Sequence, residues 1–250
     1  MSGHSKWSTI KRKKAKNDQA RGKLFSRLTK EIIVAAREGG GDPEMNPRLR
    51  TAIDNAKANN LPNDNIERAI QRGTGELPGV DYEQAWYEGY APGGVAVLVE
   101  TLTDNKNRTV SEIRHILTKH GGNMAETGAV SWQFETRGTL LVDDEAVEEE
   151  ELMMVVLEAG AEDMESEEDG FYITSPVDDF ERVKDALRDE EIGFRDAQLS
   201  RIPKNLLDLE EIEQEKVLRL LEAIEDQDDV QNVYTNLDID EDLAETAAEA

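Results

Sequence analysis

Hydrophobic positions in the first 76 residues recur with a helical period. Leu24, Leu28, Ile32 and Ala35 fall at i, i+4, i+8 and i+11, with Phe25 beside them, so one apolar stripe runs along a helix. Gly39-Gly40-Gly41 ends it, because glycine accepts a left-handed cap. Asn46-Pro47 reads as an N-cap followed by proline at the first helical position, and Leu49, Ile53 and Ala56 continue that helix on one face. Leu61-Pro62 breaks it and opens a third helix, in which Ile66, Ala69 and Ile70 point inward, and Gly73 and Gly75 stop it. Three short amphipathic helices can share a small core. The stretch 9–23 is polar and basic with little to bury, which predicts that it is mobile or only partly helical until something binds it.

Beyond Pro78 the pattern changes to strands. Residues 86–90 and 95–103 read as strands, the second strongly β-branched. Thr109 and Glu112 have capping-box spacing and predict a helix over 110–119, which Gly121-Gly122 ends; 130–134 reads as a further strand. Then come strand 138–142, helix 147–159, weak strand 162–167, strand 171–174, helix 180–187 and strand 194–202. That order is β-α-β-β-α-β, the ferredoxin-like sequence of elements. A long helix over 207–224 and a strand over 230–236 have no complete domain of their own, whereas 79–134 lacks a closing helix and strand. The expected fold is therefore α+β. A helical domain spans 1–78, a discontinuous α/β domain 79–134 and 203–240, and an inserted ferredoxin-like domain 135–202; 241–250 form an acidic, disordered tail.

Composition narrows the chemistry. The 250 residues include no cysteine, which excludes disulfides, thiolate zinc sites, iron–sulfur clusters and a cysteine nucleophile. The longest unbroken apolar run, 152–157, is six residues, against the roughly 20 that span a bilayer. No apolar signal segment opens the chain, so a soluble cytoplasmic protein without membrane contact is expected. The net charge is −26, but unevenly spread. Residues 1–38 carry 11 basic and 3 acidic side chains; residues 77–250 carry 13 basic and 46 acidic. Such asymmetry points to an anionic partner for the basic end and leaves an acidic face that could meet a basic protein.

Lys6, Lys11, Arg12, Lys13, Lys14, Lys16, Arg21 and Lys23 lie within eighteen residues, interrupted by Asp18 alone among acids. Wound as a helix they surround it, so a membrane-surface helix is excluded for want of an apolar face. Phosphate neutralisation needs only charge density and reach. Trp7, inside the segment, either packs against the helical core or stacks on an unpaired base. His115 and His120 are five apart, off a shared helical face, so no metal site is expected. Arg108 near Asn105 and Asn107 reads first as a loop-and-cap network and second as a phosphate or carboxylate subsite.

Gly3-His4-Ser5-Lys6-Trp7 with Ile10-Lys11 and Lys13-Lys14 resembles the opening of the YebC/PmpR family of bacterial regulatory proteins. Asn46-Pro47-Arg48-Leu49 with Ala52-Ile53 and Ala56, the run 62–70, the run 87–94 and the Thr103-Asp104-Asn105…Asn107-Arg108 turn are similar to it as well. The resemblance covers essentially the whole chain. It implies three domains, no enzyme activity, no cofactor and a role in gene expression. Family members are described as DNA-binding transcriptional regulators. Mitochondrial relatives are translational activators, and some bacterial members are linked to the ribosome, which makes ribosomal RNA the alternative partner. The charge of residues 77–250 is more acidic than the family leads one to expect.

Overall fold

The computed structural model describes Trp7 and residues 18–143, 147–167, 170–240 and 243. Residues 9–17 of the basic stretch and the acidic tail from 241, apart from Leu243, lie outside the described residues. A helical region precedes two four-stranded sheets, the mixed α+β class that the hydrophobic pattern predicts. Contacts divide the chain into two units. One gathers the described residues of Met1–Val34, Gly79–Glu135 and Ile202–Ala250; the other gathers Ala35–Pro78 and Thr136–Arg201. The boundary at Val34 falls inside the first helix, α1 (Asp18–Gly39).

The first unit is built on an antiparallel sheet of order β3-β1-β2-β8, with β1 Glu83–Tyr90, β2 Ala96–Thr103, β3 Asn123–Met124 and β8 Val230–Thr235. β2 is buried on both faces, which explains its unbroken Ala-Val-Leu-Val run. Val97 and Val99 face a core with Ile113, Ile116 and Leu117 of α4 (Lys106–Lys119) and Val217, Leu221 and Ile224 of α7 (Glu211–Glu225). Ala96 and Leu98 face Val130, Phe134 and Tyr234, where Trp86 stacks on Tyr234 at 6.1 Å.

Three local expectations change here. α4 starts at Lys106, because the Asn105 side chain accepts from the Arg108 N–H at 3.1 Å; Thr109 is not the cap. The Thr109 hydroxyl is instead buried against Thr103 and Asp229. The expected strand 130–134 is a single 3₁₀ turn, Ser131–Gln133. The carboxylate of Glu88 accepts the N–H groups of Gly128, Val130 and Ser131 at 2.7–2.9 Å, so these donors are not offered to a ladder. α7 begins four residues later than the apolar pattern suggests, because Leu207 pairs in parallel with Leu237.

The second unit carries the sheet of order β5-β6-β4-β7, made of β4 Phe134–Val142, β5 Asp163–Glu167, β6 Gly170–Ser175 and β7 Phe194–Pro203. With α5 (Glu149–Glu158) and α6 (Phe180–Asp189) it has the β-α-β-β-α-β order and the strand arrangement of a ferredoxin-like fold. Leu140, Val142, Leu152, Val156, Ile173, Val183 and Leu187 fill its core. Helices α2 (Pro47–Ala58) and α3 (Asn63–Gly73) belong to this unit. Asn46 is buried and caps α2 through the Leu49 N–H, while its amide donates to Ala35 and Gly40 carbonyls at 2.8 and 2.9 Å. A Cβ at Gly39 would sit 2.6 Å from that side chain, so the close turn requires glycine there. Asn55 of α2 bonds both the N–H and the C=O of Ala197 on β7, substituting for a neighbouring strand.

Candidate nucleic-acid interface

The sequence places every candidate phosphate contact within residues 6–23. Lys6, Lys11, Arg12, Lys13, Lys14 and Lys16 lie outside the described residues. Arg21 is exposed on α1, its guanidinium 5.5 Å from the Phe25 ring centroid. Lys23 does not stand open. Its ammonium lies 2.7 Å from the Asp226 carboxylate. Trp7 is 3% exposed and sits in the core of the first unit with Val95, Val97 and Leu221. Of the two expectations for this ring, packing holds, although against the α/β core and not the helical one, and the ring is closed to a base.

Sequence reasoning missed what lies along the rest of α1. Lys23, Arg27 and Lys30 are spaced i, i+4 and i+7, so they share one face of the helix. Each meets a carboxylate at the end of α7 or just after it. Arg27 lies 3.1 Å from Glu225 and Lys30 lies 3.1 Å from Asp229. The matching acids fall at 225, 226 and 229, at the end of α7 and just past it, and nothing marks them among 55 carboxylates.

Asp229 is the centre of this clamp. It is buried and accepts hydrogen bonds from Arg108 at 2.6 Å, Thr109 at 2.9 Å, Thr103 at 3.0 Å and Lys30 at 3.1 Å. Burial by itself would raise its pKa; the donors, Arg108 first, outweigh burial and hold it at about 2. Arg108 also bonds Asp104 at 2.8 Å, and both carboxylates push its pKa above the ordinary arginine value. Arg108 and Asn105 thus form a cap-and-clamp network, the first of the two readings of that loop. The clamp fixes α1, the helix that leads out of the cationic segment, onto the first unit.

An aromatic side chain that is open does exist in the first unit. Trp132, on the 3₁₀ turn, is 65% exposed. Its indole N–H donates to the Ala129 carbonyl at 3.0 Å, and the Glu88 carboxylate pins the turn beneath it. Burial tends to raise the Glu88 pKa, but the three backbone donors prevail and lower it. The signal in the sequence was an aromatic beside a Gly-Ala-Val turn, too weak to separate from core. In the 77–250 body most cations meet carboxylates, for example Lys204 with Glu135 and Arg137 with Glu162. Among the described residues no helix is long and apolar enough to cross a membrane.

Comparison with known proteins divides the chain between residues 76 and 82. Residues 5–76 match the profile of the TACO1/YebC protein N-terminal domain, and residues 82–237 match that of the TACO1/YebC second and third domain. A protein of Natranaerobius thermophilus named "Probable transcriptional regulatory protein" is 56% identical, covering 98% of this chain and 100% of its own. A similarly named protein of Desulfotalea psychrophila is 57% identical over 100% of both chains. The crystal structure of a conserved hypothetical protein from Aquifex aeolicus superposes with a TM-score of 0.85 at 49% identity, covering 91% of this chain and 94% of that one. The chain belongs to the TACO1/YebC family.

Proposed function

We propose that this protein is a non-enzymatic regulator of gene expression that binds DNA through its cationic opening segment. The observation that carries this reading is the charge division: 11 basic and 3 acidic residues in 1–38, against 13 basic and 46 acidic in 77–250. A polyanion is drawn to the first and repelled by the second. The names of the relatives, "Probable transcriptional regulatory protein", support a regulator. Lys23, Arg27 and Lys30 are matched by carboxylates. The phosphate contacts therefore fall to Lys6, Lys11, Arg12, Lys13, Lys14, Lys16 and Arg21. The clamp on Asp229 gives that segment a fixed base.

The test is retardation of a labelled duplex by the full chain, at salt from 50 to 200 mM, beside a structured RNA of equal length. Six or seven phosphate contacts give a log–log salt slope of about −5 to −6. Changing Lys11, Arg12, Lys13 and Lys14 together to Glu should abolish retardation while circular dichroism and Tm stay unchanged. Undiminished affinity in that variant overturns the reading. Preference for the RNA transfers the same contacts to a translational role.

A further inference from the structure

The longest apolar run of the chain, 152–157, lies on α5, and the core takes only part of it. Leu152 and Val156 are fully buried, whereas Met153, Met154 and Leu157 remain 38%, 63% and 47% exposed. At about 100° per residue these three side chains fall within one arc of roughly 100°, facing away from Leu152 and Val156. Exposed apolar residues scattered singly are ordinary; three on one face of one helix form a patch. Around the patch stand Glu149, Glu150, Glu151 and Glu158, all exposed, and α5 contains no basic residue. Among the described residues no ion pair engages these four carboxylates.

The charge on this rim selects the occupant. A second copy of the chain, stacked patch to patch, would set four carboxylates against four. A nucleic acid or an anionic lipid surface would be repelled in the same way. A cationic amphipathic helix satisfies both parts: its apolar stripe covers Met153, Met154 and Leu157, and its lysines or arginines meet the glutamates. Methionine suits such a surface, because its unbranched thioether reshapes around different apolar partners. The patch is smaller than the roughly 1,000 Å² of a stable interface between folded proteins, which fits a short segment and a weak, reversible complex. We infer that the outer face of α5 docks a short cationic amphipathic helical segment of a partner protein. This site is separate from the nucleic-acid reading and survives its failure.

The test uses the full chain with ¹³C-methyl methionine and a 14-residue peptide of Leu and Lys in helical amphipathic order. A peptide of the same composition, reordered so that the leucines scatter around the helix, is the control. Saturable shifts of the Met153 and Met154 methyl signals are expected. Affinity should fall at least tenfold for the control peptide. It should fall as far for the double variant Met154→Gln, Leu157→Gln, which removes apolar surface and leaves every carboxylate in place. Equal binding of both peptides reduces the site to bulk charge and overturns the inference. So do unmoved methyl signals, or an undiminished affinity in the double variant. Self-association that the double variant abolishes assigns the face to a second copy and overturns it too.

Discussion

Each unit holds a helix in place through one buried charged side chain, and the two charges have opposite sign. In the first unit the buried group is an acid, Asp229, and four donors converge on it from α1, α4 and the end of β2. In the second unit it is a base, Lys184 of α6, fully buried, with the Thr51 hydroxyl at 2.6 Å and the Glu181 carboxylate at 3.0 Å. Glu181 also takes Arg50 of α2 at 3.1 Å. The compensation differs. Donors overcome burial at Asp229 and lower its pKa, which favours its charged state. Burial prevails at Lys184 and lowers its pKa, which disfavours its charged state. The number of hydrogen bonds reaching a buried charge, more than the presence of a salt bridge, decides whether the charge stabilises the fold.

That contrast can be broken by substitution. Asp229→Asn should be the most damaging change, costing about 2–4 kcal/mol in urea unfolding, because Lys30 and the Thr pair lose a common charged acceptor. A loss under about 0.5 kcal/mol would remove Asp229 from its central place. Acid should act in the same direction. The Asp229 carboxyl lies below its unfolded value of about 3.9. Its stabilisation is therefore complete above that pH and is lost as pH falls through about 2. Urea midpoints measured from pH 5 to pH 2 should fall more steeply for the native chain than for Asp229→Asn.

The second cluster sharpens the comparison with smaller effects. Lys184→Met keeps an unbranched chain, removes the buried charge and leaves Glu181 paired with Arg50, so a change within about 1.5 kcal/mol is expected. The native Lys184 favours the folded state more as pH rises from its lowered folded pKa toward the unfolded value near 10.4, and that alkaline gain should vanish in Lys184→Met. The smallest effect belongs to Lys23→Ala. Its partner Asp226 is well exposed, and solvent-screened pairs contribute about 0–1 kcal/mol. A thermal shift of more than a few degrees there would mean that the edge of the clamp matters as much as its centre.

Much of this architecture could be read from local patterns. Asn46-Pro47 announced the start of α2, the β-branched run announced β2, and the β-α-β-β-α-β succession announced the ferredoxin-like order. Each rests on neighbours in sequence, where propensity and periodicity act. The misread segments are those where a distant group takes over a local donor or acceptor. Glu88, some forty residues away, turned 130–134 from a strand into a turn. Asp229 took the Thr109 hydroxyl from the role of cap. The candidate site was half legible: its charge density could be counted, but which cations were already matched could not.

The sequence by itself determined the elements, their order and the cationic opening of an acidic chain, because these follow from side-chain type and spacing alone. Only the tertiary structure decided that Trp7 is buried and Trp132 open, that Asp229 among 55 carboxylates gathers both Lys30 and Arg108, and that half of an apolar helix run is left outside the core. The physical reason is common to all three. Burial and pairing depend on which residues distant in the chain come within a few ångströms, and no local pattern encodes that distance.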